Sequence, residues 1–332
     1  MDNCSGCYPS EPIYELRVEG EPNLKVLAGM AAMLRPLERN GESNWQELRL
    51  REKDMVGLAD FCSDHMELEG MHYRQGSESR WQPFSRLGDT LSNRWVDEVI
   101  LQERVVSWAQ PILDAEGGLY AHEMLARFRG ADGSLLSPAE VFAAAKARNR
   151  LYALDKLCRM TAIRSSVHLP AKVFINFIPT SIYSPEHCLR STIALSQELG
   201  FEPSKFVFEV VETEKVEDLE HLKSILRYYK ARGFRYALDD VGAGYSTVEL
   251  LEDLQPHYMK LDRSYVDGVA VSTDKQAVAK RMLHAARTTG AVPLAEGVET
   301  EADFEWLRDA GYELFQGYYF GRPEPVSGAS KY

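Results

Sequence analysis

Residues 234–262 read FRYALDDVGAGYSTVELLEDLQPHYMKLD, and this stretch decides the fold. A β-rich run over 234–238 closes on Asp239 and Asp240, a loop and a helical stretch follow, and a second β-rich run over 258–261 carries Lys260 and leads into Asp262. Strand, loop, helix and strand in that order is the unit of a parallel sheet, with its ionisable residues gathered where the strands end. Working outward, β-branched and aromatic runs predict further strands over 173–177, 206–211, 292–295 and 313–315. They end in, or run into, Glu209, Glu296 and Gln316. In a (β/α) barrel such ends converge on one face, where the active sites of that fold lie. The sequence therefore predicts an α/β fold, a (β/α) barrel, over residues 103–327. Ser137-Pro138 predicts a helix start, Gly233 and Gly290 predict helix ends, and Thr300 with Asp303 predicts a capped helix over 301–309.

Before the barrel the pattern changes. Helices are expected over 24–34 and 54–66, a turn at Asn40-Gly41, a short strand over 45–51 and a polar loop over 75–79. This gives a small α+β module over residues 1–88, with a sensory or regulatory role and a regulatory partner expected from its position, and a linker helix over 89–102. Cys4-x-x-Cys7 and Cys62-x-x-His65 have the internal spacing of structural zinc ligands. A Zn2+ site there stands beside a plainer reading, a mobile Cys pair with Cys62 in the core, and beside a redox pair.

Of the 332 residues, 45% are apolar and 27% charged, the balance of a folded soluble chain. No apolar run reaches the roughly 18 residues that suggest a membrane span, and the N-terminus has no signal-peptide pattern, so a cytoplasmic location is expected. A formal net charge of −12 argues against a protein that grips long nucleic acid through its backbone. Five cysteines, an odd number, do not form a disulfide framework.

Several carboxylates brought to one barrel mouth repel one another unless a cation neutralises them. Oxygen donors from Glu, Asp and Asn suit hard ions such as Mg2+ or Mn2+, and adjacent Asp239 and Asp240 suit a pair of them. Two such ions are a recurrent device for phosphodiester hydrolysis. Taken alone, an Asp at a strand end is more often a helix cap, Lys260 a surface charge and Asn176 a turn former; the combination is what points to chemistry.

From Val105 to Pro325 the chain resembles the EAL-type cyclic di-GMP phosphodiesterases. The resemblance rests on Glu123-Met124-Leu125 after Gln110-Pro111-Ile112, Asn176 in FINF, Glu209-x-x-Glu212, Asp239-Asp240-VGAGY-Ser246, Lys260-Leu-Asp262, Glu296-Gly-Val-Glu299 and Gln316-Gly317-Tyr318. It implies a (β/α)8 TIM-like barrel with an irregular first strand that cuts cyclic di-GMP to linear pGpG with a water activated by two divalent cations, and it implies a homodimer. Carried over, Glu123, Asn176, Glu209 and Asp239 would hold the first cation. Asp239 would bridge to a second, shared with Asp240, with Glu296 as ligand or proton acceptor. Lys260 would sit beside the water or the developing charge, and Gln316 would position water or metal. Arg127 would grip a substrate phosphate through its planar fork, with Met124 and Leu125 beside it, while Glu212 and Glu299 would steady loops. Met124, Val211, Val241 and Ala243 depart from the family pattern. The loop changes bear on dimer-linked control more than on the ligands. A barrel that senses the dinucleotide or docks on a protein without cutting is the alternative reading. A hydrolase of another phosphodiester is a third.

Overall fold

The computed structural model describes residues 12–30, 34, 36–76, 80–210, 219–242 and 248–326. Two compact units emerge, one of residues 1–104 with 136–154, the other of 105–135 with 155–332.

The first unit is built on an antiparallel sheet of β1 (Ile13–Glu19), β2 (Glu38–Gly41), β3 (Trp45–Arg51), β4 (Met71–Gln75) and β5 (Gln82–Pro83), ordered β2-β3-β1-β4-β5. Alternation sorts its faces. Tyr14, Leu16 and Val18 of β1 are buried with Leu48, Leu50, Met71 and Tyr73, against Leu27 of helix Glu21–Gly29 and Met55, Leu58 and Cys62 of helix Glu52–His65. The turn expected at Asn40-Gly41 is instead the end of edge strand β2. Gly41 pairs with Gln46, and the chain reverses over 42–44, where Glu42 N donates to Trp45 O at 2.9 Å. The helix expected over 24–34 begins and ends earlier, starting after Gly20 (φ 92°) with Pro22 in its first turn. The expected helix over 89–102 is two, Leu87–Ser92 and Trp95–Leu101, because Asn93 leaves helical geometry and ties its side chain back to Asp89 O.

The second unit is a closed barrel of eight strands. They are β6 (Val105–Asp114), β7 (Leu119–Arg129), then, after the short β8 (Leu135–Leu136), β9 (Lys172–Phe177), β10 (Phe206–Val210), β11 (Arg235–Val241), β12 (Tyr258–Leu261), β13 (Val292–Ala295) and β14 (Leu314–Gln316). All neighbours are parallel except β6, which runs antiparallel to both β14 and β7 and closes the ring; β15 (Glu324–Pro325) pairs outside it on β6. The intervening helices are amphipathic. In Leu219–Lys230 the residues Leu222, Ile225, Leu226 and Tyr229 are buried at helical spacing, and the Tyr229 ring stacks on Phe208 of β10 at 4.1 Å. Gly290 takes φ 78° at the end of helix Thr273–Thr289, and Thr300 caps helix Glu301–Ala310 through Asp303 N, both as expected. No helix among the described residues is long and apolar enough to cross a membrane.

One apolar cluster takes a residue from every barrel strand: Ile112, Ala121, Phe174, Val207, Ala237, Tyr258, Leu294 and Leu314. Side chains on a strand alternate faces, so the residue two further along each strand faces the interior again. That rule builds the site.

Candidate active site

Two residues on from the apolar cluster, the seven parallel strands carry Glu123, Asn176, Glu209, Asp239, Lys260, Glu296 and Gln316. These include all the strand-end residues singled out in the sequence except Asp240 and Asp262. β6 runs the other way, so its member lies two residues before Ile112, at Gln110. In the sequence Gln110 stood only in the Gln110-Pro111-Ile112 match and not among the candidate site residues. The signal that finds it is the reversed direction of one strand.

Lys260 sits at the centre, 1% exposed. Its Nζ lies 2.8 Å from Glu209, 2.9 Å from Asp239, 3.1 Å from Glu296 and 3.8 Å from Glu123. Around it a polar ring orients Glu123: Asn176 Nδ2 donates to Oε1 at 2.9 Å and Gln316 Nε2 to Oε2 at 2.6 Å. Gln316 Nε2 also lies 3.2 Å from Gln110 Oε1, while Gln110 Nε2 donates to Gly321 O at 3.1 Å. Gly317 lets the chain pass here, since a Cβ would fall 2.0 Å from Val298 O.

Neighbouring strand residues normally face opposite ways, yet Asp239 and Asp240 bring carboxylate oxygens close together. The β11–β12 register shifts between Leu238 and Val241, and Asp240 takes φ 51°, the bulge geometry that turns both side chains to one side. Oxygens of Asp239, Asp240 and Glu296 lie within 4.8 Å of one another.

Among the described residues, five carboxylates, Glu123, Glu209, Asp239, Asp240 and Glu296, gather around the one ammonium of Lys260. Burial, and then neighbouring carboxylates against the pull of Lys260, push Glu209 and Glu296 well above the usual carboxylate range. Burial followed by Asp239 and Asp262 raises Asp240 to about 6. Burial works against the Lys260 ammonium, but Asp239, Glu123, Glu209 and Glu296 outweigh it and hold its pKa well above the ordinary value. Burial also works against ionised Glu123, but Lys260 and the bonds from Gln316 and Asn176 keep it below. Glu209 Oε2 and Gln316 Oε1 are buried and accept no hydrogen bond among the described residues. Excess negative charge and orphaned oxygen donors fit hard divalent cations.

Arg127 is half-buried on β7, its Nη1 donating to Ala126 O at 2.9 Å and its guanidinium 5.2 Å from the Trp108 ring centroid. Met124 is buried and Leu125 half-buried on the same strand. Asp262 is a helix cap, accepting from Ser264 N at 2.9 Å, and Glu299 is exposed and paired with Arg263 at 2.7 Å. Cys62 lies in the core of the first unit, where burial pushes its thiol up to about 11, whereas His65 is exposed against Phe61. Cys4, Cys7, Glu212 and the loop residues Ala243 to Ser246 lie outside the described residues.

The EAL domain family model matches residues 93–323. In sequence the chain is 31% identical over 229 residues to a probable cyclic di-GMP phosphodiesterase, PdeG of Escherichia coli, covering 66% of this chain and 44% of that protein. It is 28% identical to the cyclic di-GMP phosphodiesterase PdeB of Shewanella oneidensis, covering 70% of this chain and 28% of that protein, so the match spans less than half of either relative. Among solved structures, a standalone EAL protein of Vibrio cholerae in its c-di-GMP-bound form superposes with a TM-score of 0.61 at 34% identity, covering 69% of this chain and 98% of that one. A manganese and cyclic di-GMP complex of Klebsiella pneumoniae BlrP1 shares the fold at 22% identity, with a TM-score of 0.60 over 94% of this chain and 96% of that one.

Proposed function

The chain belongs to the EAL domain family, and from that premise we propose that it hydrolyses cyclic di-GMP to linear pGpG with divalent cations, Mg2+ or Mn2+, at the strand-end cluster. The observation that carries this reading is the buried surplus of carboxylates over the ammonium of Lys260 among the described residues, where Glu209 Oε2 accepts no hydrogen bond. Glu123, Asn176, Glu209 and Asp239 would hold one ion, and Asp239, Asp240 and Glu296 the other. Bound there, the ions would supply the missing positive charge and lower the pKa of a water that they coordinate.

The remaining steps belong to the chain's own residues. Water adds across one P–O bond, leaving a phosphate monoester and a hydroxyl. Glu296, 3.1 Å from Lys260, would accept the proton that the water gives up. Lys260 sets a fixed positive charge against the charge that develops on phosphorus-bound oxygen. Gln316, held through Gln110, orients Glu123 from one side while Asn176 does so from the other. Arg127 would clamp a phosphate, with Met124 and Leu125 lining its approach. Glu212 and Glu299 steadying loops, a homodimer, a cytoplasmic location and a regulatory partner for residues 1–88 complete the proposal.

The test is to incubate purified chain with cyclic di-GMP and manganese or magnesium, with and without chelator, and to separate the nucleotides. Linear product that disappears with chelator is the expected result. Tight binding without product under either metal would support the sensor instead.

A further inference from the structure

The polar residues of the site form one layer of the barrel interior, and β6 and β7 continue past that layer. Alternation puts Leu125 and Arg127 on the interior face of β7 beyond Glu123. On β6, which runs the other way, it puts Trp108 and Val106 there, beyond Gln110. The register makes these residues neighbours: Gln110 pairs with Glu123, Trp108 with Leu125 and Val106 with Arg127. On its other edge Trp108 pairs with Pro325 of β15, and residues paired across antiparallel strands share a face. Leu125, Trp108 and Pro325 thus line up one layer beyond Glu123 and Gln110. The Trp108 ring is half-buried, and the Arg127 guanidinium lies 5.2 Å from its centroid.

Cyclic di-GMP presents two kinds of surface, charged phosphates and the broad apolar faces of its bases. Lys260, the carboxylates with their cations, and Arg127 answer only the first. The bases need a flat apolar partner, and base–aromatic stacking supplies one that is indifferent to the identity of the base. An indole offers a broad aromatic face, and here it sits beside the guanidinium that would clamp a phosphate. One nucleotide can engage both, its phosphate on the fork and its base on the ring. We propose that Trp108 is a substrate-binding residue that stacks one base of the dinucleotide, next to the phosphate held by Arg127. The inference deepens the reading of cyclic di-GMP as the ligand of this site and rests on it. It gives affinity without choice: telling guanine from adenine falls to other contacts.

The test compares the full wild-type chain with Trp108→Ala, Trp108→Phe, Arg127→Ala and the double variant Trp108→Ala/Arg127→Ala. The Kd for cyclic di-GMP is read by calorimetry with calcium in place of manganese, and KM and kcat are read with manganese. Trp108→Ala should raise Kd and KM roughly tenfold, the size of one lost stack. Its kcat should stay near wild type, because the base is held alike before and during the chemical step. Trp108→Phe, which keeps an aromatic face, should recover most of the loss. The double variant separates stacking from a merely structural role. If Trp108 only propped Arg127, its removal would cost nothing once Arg127 is gone, whereas a stack is lost in either background. Trp108→Leu, apolar but without a flat face, takes the place of Trp108→Ala if that variant fails to fold. Wild-type Kd and KM in Trp108→Ala, or no further loss in the double variant, would overturn the proposal. A wild-type chain that binds cyclic di-GMP without forming product fails the hydrolase reading alone, and the Kd series still decides for Trp108. One that neither binds nor cuts it overturns both.

Discussion

Replacing Lys260 with methionine removes the one cation among the buried carboxylates while keeping most of the side-chain volume. In the wild type its ammonium lies within 3.1 Å of Glu209, Asp239 and Glu296, all but closed off from solvent. Removing one partner of a buried pair costs about 3–5 kcal/mol, because the remaining charge has neither water nor counter-ion. For a unit of this size that corresponds to a fall in melting temperature of roughly 10 °C. Melting followed by circular dichroism in chelator is the assay. Part of the loss should be avoided by proton uptake at Glu209 and Glu296, so the variant's deficit shrinks as the pH is lowered. Saturating manganese should recover much of it, since an ion at about 100 times its Kd stabilises by about 2.7 kcal/mol. A metal-free Lys260→Met chain that melts with the wild type would refute the charge balance on which the site is argued.

Gln110→Ala frees Gln316 on one side of Glu123 and should lower turnover roughly tenfold or more with the fold intact; wild-type turnover would remove Gln110 from the site. Tyr258→Phe breaks the 2.7 Å hydroxyl pair with Tyr120 inside the barrel and should cost about 1 kcal/mol in denaturant unfolding while leaving turnover unchanged. A turnover defect there would mean that the site extends below the polar residues. Asp240 rises from 3.8 to about 6 in the folded metal-free chain, so the folded state binds the extra proton. Its contribution to stability is therefore present at low pH and is lost as pH rises through that interval. Manganese binding at about pH 5 should then release protons, read as a binding heat that changes with buffer ionisation enthalpy; identical heats across buffers would contradict the raised value.

The barrel and its site were largely legible because parallel strands make chain direction and site direction coincide. Most runs of β-branched and aromatic residues contained, or ran into, a residue that a core rejects, which gathered Asp239, Lys260 and Glu209 as candidates, while their separate roles came from the family resemblance. Gln110 escaped the same reasoning because β6 alone is reversed, which puts its polar residue before the apolar one. In the first unit neither β1 nor β4 was expected, although Tyr14, Leu16 and Val18 of β1 and Met71 and Tyr73 of β4 alternate with polar residues; both runs carry charged or titratable side chains between their buried ones, and β4 is only five residues long. Arg148, buried in the first unit, was beyond sequence altogether: its partners, Tyr14, Glu52, Thr90 and Asp97, are brought together only by the fold.

Glu123 is where the polar ring, the buried ammonium and the proposed cation meet, so paired samples of wild type and Glu123→Ala with cyclic di-GMP and manganese test the account most directly. Chromatography should show linear product from the wild type and at least a hundredfold less, on the order of an essential ligand's loss, from a variant whose circular dichroism is unchanged. Equal product from both would contradict it.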